Sequence, residues 1–255
     1  MIDASVLRRQ VSEKREESVS SIMDKIEGNL LVLPEFQREY VWKLDQVQNL
    51  LTSIIAGRII GGLLTWKTKS SINYHSMNGK QNIDDNNMEF VYLLDGQQRM
   101  TSIYHAIKGE SYRKTHFSRL YINLDATSID DLIGIVGKGS EPERVIPFKD
   151  IFSHELLVQH QKDISWEEGV KLGNIADRIL AYNLSIFNLK TDDMGDAIDQ
   201  FNSLNTGGTK MKVHEIILSK IYSPQFNLKQ EVNKLAKETE SYILDSKTIL
   251  DALSF

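Results

Sequence analysis

Residues 89–109 read E-F-V-Y-L-L-D-G-Q-Q-R-M-T-S-I-Y-H-A-I-K-G. Two periodicities meet inside this stretch. Glu89 to Leu94 reads as a buried strand, whereas Met100, Ile103, Tyr104 and Ile107 recur at the spacing of one helix face. Gly109 closes the helix as its C-terminal stop. Only Asp95, Gly96, Gln97, Gln98 and Arg99 stand between the two patterns, so the chain turns from strand into helix within a few residues. This unit sets a strand directly before a helix. It also sets a helix N-terminus, with free N–H groups and a positive dipole end, at the mouth of a sheet.

Towards the N-terminus, Asp45 to Ala56 is the clearest other helix. Val47, Leu50, Leu51 and Ile54 line one face, Asp45 with Gln48 forms a D-x-x-Q capping pattern, and Gly57 stands at C′. Ile59 to Trp66 is apolar and β-prone, and Lys67 to Asn87 reads as a long polar hairpin or loop. Leu30 to Leu33 is an extended segment ended by Pro34. The first thirty residues are charge-rich and read as helix, with Val19, Ile22 and Ile26 at near-helical spacing and Gly28 as the stop. Towards the C-terminus, Phe117 to Leu124, Val145 to Phe148 and Leu184 to Leu189 read as strands, and Trp166 to Arg178 as a helix. Three helical stripes follow: Met194, Ala197, Ile198 and Phe201; Val213, Ile216, Ile217 and Ile221; and Leu228 to Leu244. The expected organisation is an N-terminal helical segment over 1–29, an α+β domain with inserted loops over 30–190, and a mainly helical part over 191–255. Phe255 falls inside an apolar run with no capping signal, which reads as a piece of a longer protein.

Composition narrows the class. The 255 residues are 41% hydrophobic and 25% charged with a mean hydropathy of −0.31, the balance of a globular protein long enough to bury a real core. No run of about 20 apolar residues and no signal-peptide core is visible, so a cytoplasmic protein without a membrane partner is expected. Cysteine is absent. That excludes a disulfide framework, a cysteine-ligated zinc and a thiol nucleophile. A net charge of −5 and a pI near 5.7 argue against coating duplex DNA by bulk electrostatics, although a local basic groove is compatible with that average. The histidines (His75, His105, His116, His154, His160 and His214) show no metal-box spacing, and neither a Walker A nor a G-x-S-x-G pattern occurs.

Three clusters carry candidate chemistry. At the strand-to-helix turn, Gly96 lets backbone approach a ligand, Arg99 offers a planar charged donor set suited to phosphate, and Gln97, Gln98 and Thr101 add neutral donors. Asp95 would repel bare phosphate but fits if Mg²⁺ bridges the two. The same residues also read as a plain helix start, with Asp95 as N-cap and Gln98 at N3. The second cluster is P-E-F-Q-R-E-Y-V-W at 34–42. It reads either as a turn anchored by Phe36, Tyr40 and Trp42 or as a frame that holds Gln37 and Arg38 in place. The third is F-N-S-L-N-T-G-G-T at 201–209, a helix C-cap or a ligand-wrapping loop carrying Asn205, Gly207 and Gly208.

In this order and spacing the three segments resemble the N-terminal domain family of GmrSD-type Type IV restriction systems and related phage-defence proteins, from about Leu30 to about Tyr222. The resemblance implies a ParB- and sulfiredoxin-like fold, a mixed sheet with helices in which two arginine motifs converge on nucleotide phosphates. Gln37 and Arg38 match the first motif; Asp95, Gly96, Gln97, Gln98 and Arg99 match the second. Sulfiredoxin chemistry itself needs a cysteine and is excluded. The resemblance further implies a nucleotide-hydrolysing or nucleotide-sensing module, often coupled to an HNH-type nuclease that these residues do not contain.

The expected function is therefore a regulatory module of a bacterial anti-phage system that binds a nucleoside triphosphate with Mg²⁺ and hydrolyses it. Arg99, Thr101 and the amides after Gly96 hold phosphate, Asp95 meets Mg²⁺, and Gln37 and Arg38 close the opposite side. Asn205, Gly207 and Gly208 complete the pocket, and Gln97 or Gln98 positions the attacking water. DNA is expected as an indirect partner, through a fused or partner HNH-type nuclease domain. Two alternatives stand beside this. One is a ParB-like nuclease acting on modified or foreign DNA, for which a single carboxylate is thin support. The other is a non-enzymatic DNA- or partner-binding module.

Overall fold

The computed structural model describes residues 12–35, 37–68, 74–79, 90–160 and 164–191, with Ala197 and Phe201. In chain order the elements are β1 (Ser12–Ser18), α1 (Val19–Glu27), β2 (Leu31–Pro34), α2 (Leu44–Ile55), β3 (Leu63–Lys67), β4 (Tyr74–His75), β5 (Val91–Asp95) and α3 (Gln97–Lys108). There follow β6 (Ser111–Tyr112), β7 (Thr115–His116), β8 (Leu120–Asn123), β9 (Ile133–Ile135), β10 (Val145–Pro147), α4 (His154–Gln159), α5 (Trp166–Leu180) and β11 (Asn183–Leu189). Short 3-10 turns occupy Phe117–Arg119 and Phe148–Phe152.

The strands alternate their side chains between two apolar layers, the pattern of a mixed sheet covered on both sides. Leu31, Leu33, Leu63, Leu93, Leu184 and Ile186 join the core formed with α1, α2, α3 and α5. Val32, Leu64, Trp66, Tyr92, Leu94 and Leu189 form a second cluster that also takes in Ala197 and Phe201. The sheet order is β1-β11-β3-β5-β2-β4. β2 runs parallel to β5, and β3 runs antiparallel to β5. Hence β2 and β5 both finish at the end of the sheet where β3 begins. The first two sequence motifs leave the sheet from that one end.

The fold is α+β with a mixed sheet and helices, as expected, and the stretch from α4 to α5 is more helical. The helical reading of 1–29 needs correction over 12–18. S-E-K-R-E-E-S carries no apolar stripe for a helix to bury, and it pairs antiparallel with β11 as the edge strand of the main sheet. Charges on an edge strand also discourage pairing with other chains. The helix starts only at Val19, where Ser18 Oγ accepts the Ser21 N–H at 3.2 Å.

The expected Asp45/Gln48 capping pattern does not form. Lys43 is the N-cap, and its N–H donates to Gln46 Oε1 at 3.0 Å. Asp45 instead pairs with Lys138 at 2.5 Å, and Gln48 Nε2 donates to the Ile133 carbonyl at 2.5 Å. The Gln48 bond ties α2 to β9 of a small β10-β8-β9 sheet, and the Asp45–Lys138 pair ties it to the loop that follows β9. Of these strands β9, together with the β6–β7 hairpin and α4, has no counterpart in the sequence reading, because two to six residues are too few to show a period. Most of the helical stripes beyond 191, and Asn205, Gly207 and Gly208, lie outside the described residues. Among the described residues no helix is long and apolar enough to cross a membrane.

At the start of α5, Ser165 Oγ accepts the Glu168 N–H at 3.2 Å and Glu168 Oε2 accepts the Ser165 N–H at 2.7 Å. Arg144 Nη2 sits 2.8 Å from Glu168 Oε1. The Ser165 amide, followed by Arg144, lowers the Glu168 carboxyl to about 2. A folded pKa below the unfolded value adds stability that is present above about pH 4.3 and lost as pH falls through the folded value. Urea denaturation should accordingly show the wild type more stable than Glu168→Gln at about pH 6, with the difference shrinking towards about pH 2. A pH-independent difference would contradict this account.

Candidate site at the β5–α3 turn

β5 ends at Asp95, Gly96 takes φ +97°, and α3 begins at Gln97. Gly96 rather than Asp95 is the N-cap, and no side chain caps the helix. Two constraints require glycine here. The positive φ strains any L side chain, and a Cβ would lie 2.3 Å from Leu63 Cδ2. The backbone therefore crosses close over the start of β3, leaving the first N–H groups of α3 without helical acceptors.

Gln98 is buried at 6% exposure and holds the segment 39–42 by its backbone. Its Oε1 accepts the N–H groups of Val41 at 2.9 Å and Trp42 at 3.3 Å, and its Nε2 donates to the Glu39 carbonyl at 3.2 Å. Tyr40, whose phenol burial pushes up to about 12, meets Ser102 Oγ at 2.8 Å. At the other end of this strap, Gln37 Nε2 donates to the carbonyls of Leu93 and Leu94. The β3–β5 register skips Leu94 through a bulge, which accounts for the acceptor available there. Arg38 is exposed and forms no ion pair among the described residues. The two motifs are thus brought together, joined by glutamine amides.

Arg99 faces the opposite wall. Its Nη1 donates to the Ile60 carbonyl at 2.7 Å, and its Nη2 to the Gly62 carbonyl at 2.9 Å and Asp95 Oδ2 at 3.1 Å. Three of the five guanidinium donors are committed, leaving the Nε–H and one Nη1–H. Gly61, at φ +89°, makes this approach possible, since a Cβ there would stand 2.4 Å from Nη1. The loop 60–62 is a part of the site that the sequence reading missed. Its signal was the Gly61-Gly62 pair following Ile59-Ile60.

A face of α3 carries buried polar atoms without partners. Gln97, on the first turn of this face, is 5% exposed. One turn on, Thr101 Oγ1 is buried and unpartnered. One turn further, His105 Nε2 meets the Met77 carbonyl at 3.0 Å while Nδ1 has no hydrogen-bond partner, and burial pushes its pKa down. Gln97 and Thr101 are the members of this row nearest the turn. No cluster of three or more potential metal ligands occurs among the described residues.

Residues 19–222 match the family described as the GmrSD restriction endonuclease, N-terminal domain. The chain is also 26% identical over 111 residues to an uncharacterized protein of Methanocaldococcus jannaschii, an alignment covering 40% of this chain and 19% of that protein. The chain thus matches about a fifth of that relative's length.

Replacing Gln98 by Met keeps the volume but strips three backbone groups of their partner. Urea denaturation should show a loss of about 2–3 kcal/mol, and hydrogen exchange should show the Val41 and Trp42 amides losing protection first. A loss below about 0.5 kcal/mol would mean that the strap is held by other contacts.

Proposed function

Because the chain belongs to the GmrSD N-terminal-domain family, we propose that the β5–α3 turn binds the phosphates of a nucleoside triphosphate with Mg²⁺. In this reading the chain hydrolyses the nucleotide as the regulatory part of an anti-phage restriction system and acts on DNA through a fused or partner HNH-type nuclease domain. The observation that carries the reading is Thr101, whose Oγ1 is buried without a hydrogen-bond partner one turn into a helix that no side chain caps. A buried hydroxyl without a partner costs about 1–3 kcal/mol, and a phosphate oxygen or water at this turn would satisfy it.

The other residues sort by what they already hold. Arg99 keeps two donors for phosphate and is fixed by the three it has spent. Thr101 supplies a hydroxyl one turn in. Gln98 has both ends of its amide committed to the strap, so water positioning falls to Gln97. Gln37 likewise serves as an anchor, which leaves Arg38 to reach the ligand. Asp95 has a half-exposed carboxylate and shares one oxygen with Arg99. Its remaining oxygen suits Mg²⁺, an ion that takes one or two carboxylates and completes its shell with phosphate and water. Bound there, Mg²⁺ would neutralise phosphate charge. Asn205, Gly207 and Gly208 complete the pocket in this proposal.

Two variants test it. Arg38→Ala should weaken binding of a non-hydrolysable ATP or GTP analogue about tenfold in calorimetry with Mg²⁺, the loss of one charge-assisted contact. Gln97→Met, at a side chain with no hydrogen bond to lose among the described residues, should leave the thermal midpoint nearly unchanged, while turnover falls about 100-fold. Full turnover in Gln97→Met would overturn the assignment.

A further inference from the structure

The strap that Gln98 holds has a second side. Residues 39–45 form one wall of a separate groove of about 820 Å³, whose other walls come from residues 113–116, Arg119 and the stretch 135–138. Five cations line it, Lys43, Arg113, Lys114, Arg119 and Lys138, against the two carboxylates Glu39 and Asp45. In a chain of net charge −5 this is a local reversal of sign.

The internal pairings leave the groove positive. Arg113 lies 3.8 Å from Glu39 and Lys138 2.5 Å from Asp45, with all four side chains more than half exposed. Exposed pairs of this kind contribute little and open readily. Arg119 donates its Nε–H and one Nη2–H to the Val136 carbonyl and meets no carboxylate among the described residues. Lys43 and Lys114 are exposed and form no ion pair among the described residues. Trp42 is half-buried and His116 is exposed along the same groove. Its walls are braced by Thr115 Oγ1, which donates to the Trp42 carbonyl at 3.0 Å, and by Tyr40 packed edge-on to Tyr112 at 5.7 Å.

We propose that this groove binds a nucleic-acid strand through its phosphodiester backbone, at a place distinct from the β5–α3 turn. The cations are distributed along a concavity instead of converging on one point, which suits successive phosphates better than a single phosphate group. Aromatic rings beside a basic groove are the combination that holds single strands, where bases stack while phosphates are neutralised. An acidic peptide would match the charge but gains nothing from ring stacking. The proposal does not rest on nucleotide binding at the turn.

Fluorescence anisotropy of a labelled single-stranded DNA of about 20 nucleotides, titrated with the whole chain, tests it. Binding is expected at about 50 mM salt, with log K falling linearly in log salt. The double variant Lys43→Glu/Lys114→Glu should weaken it at least about tenfold and reduce the slope by about 1.4, the loss of two phosphate contacts on a single strand. Lys171→Glu on α5, an exposed charge reversal off the groove, should change affinity less than about twofold. Three results would overturn the proposal: no binding at low salt, a double variant no weaker than the Lys171→Glu control, or displacement by polyglutamate as effective as by unlabelled DNA. A duplex of the same length provides the second arm. Tighter binding to it than to the strand would overturn the single-strand assignment.

Discussion

The bonds of one buried side-chain amide organise the end of the sheet. Gln98 supplies an acceptor to two backbone N–H groups and a donor to a backbone carbonyl, all in the segment that follows β2. Backbone polar groups away from regular structure must find partners, and an unpaired one is costly when removed from water. The chain 39–42 is neither helix nor strand, so its pairing has to come from a side chain. Arg99, next in sequence, does the same for the loop 60–62 on the other side. Two adjacent residues of α3 therefore lock two irregular segments to opposite flanks of one helix N-terminus.

That arrangement depends on Gly96. Its backbone passes so close to Leu63 that no side chain fits, and the proximity brings α3 within reach of the β3 entry loop. Gly61 repeats the device from the facing loop, where a side chain would collide with the Arg99 guanidinium. The glycines thus set distances between polar groups as much as they turn the chain. The same end of the sheet keeps the Thr101 hydroxyl buried and unsatisfied, one turn from Gln97. A polar group retained at a stability penalty beside an open helix N-terminus is the feature on which the proposed phosphate site rests.

Electrostatics divides the molecule differently from composition. Averaged over the chain, the charge is acidic, and the average hides a groove where cations outnumber carboxylates. The strap from 37 to 45 separates the two regions, with Gln37 bonded to the end of β5 and Glu39 to Asp45 along the groove. Its hydrogen bonds to Gln98 make it a shared wall.

Much of this was readable in advance from period and punctuation. The faces of α2 and α3, the glycines that end them and the strand before Asp95 all follow from spacing, because a buried stripe must repeat with the helix or strand that carries it; the meeting of the two motifs was implied by the family resemblance. The sequence alone also settled what the chemistry cannot use, since a chain without cysteine has no thiol. What each polar residue does within the motifs depended on tertiary structure. Gln98 read as a helix-cap residue or a phosphate donor and is a clamp on a distant backbone; Arg99 is fixed by carbonyls nearly forty residues away; and Ser12 to Ser18 is a strand because β11 lies beside it. These roles are set by long-range partners, and hydrogen bonds between segments far apart in the chain leave no local period to read. Sequence by itself marked the strand, turn and helix from which two motifs leave the sheet, and only the packing of β3, β5 and α3 brought the loop 60–62 beside them and decided which polar side chains hold neighbouring backbone.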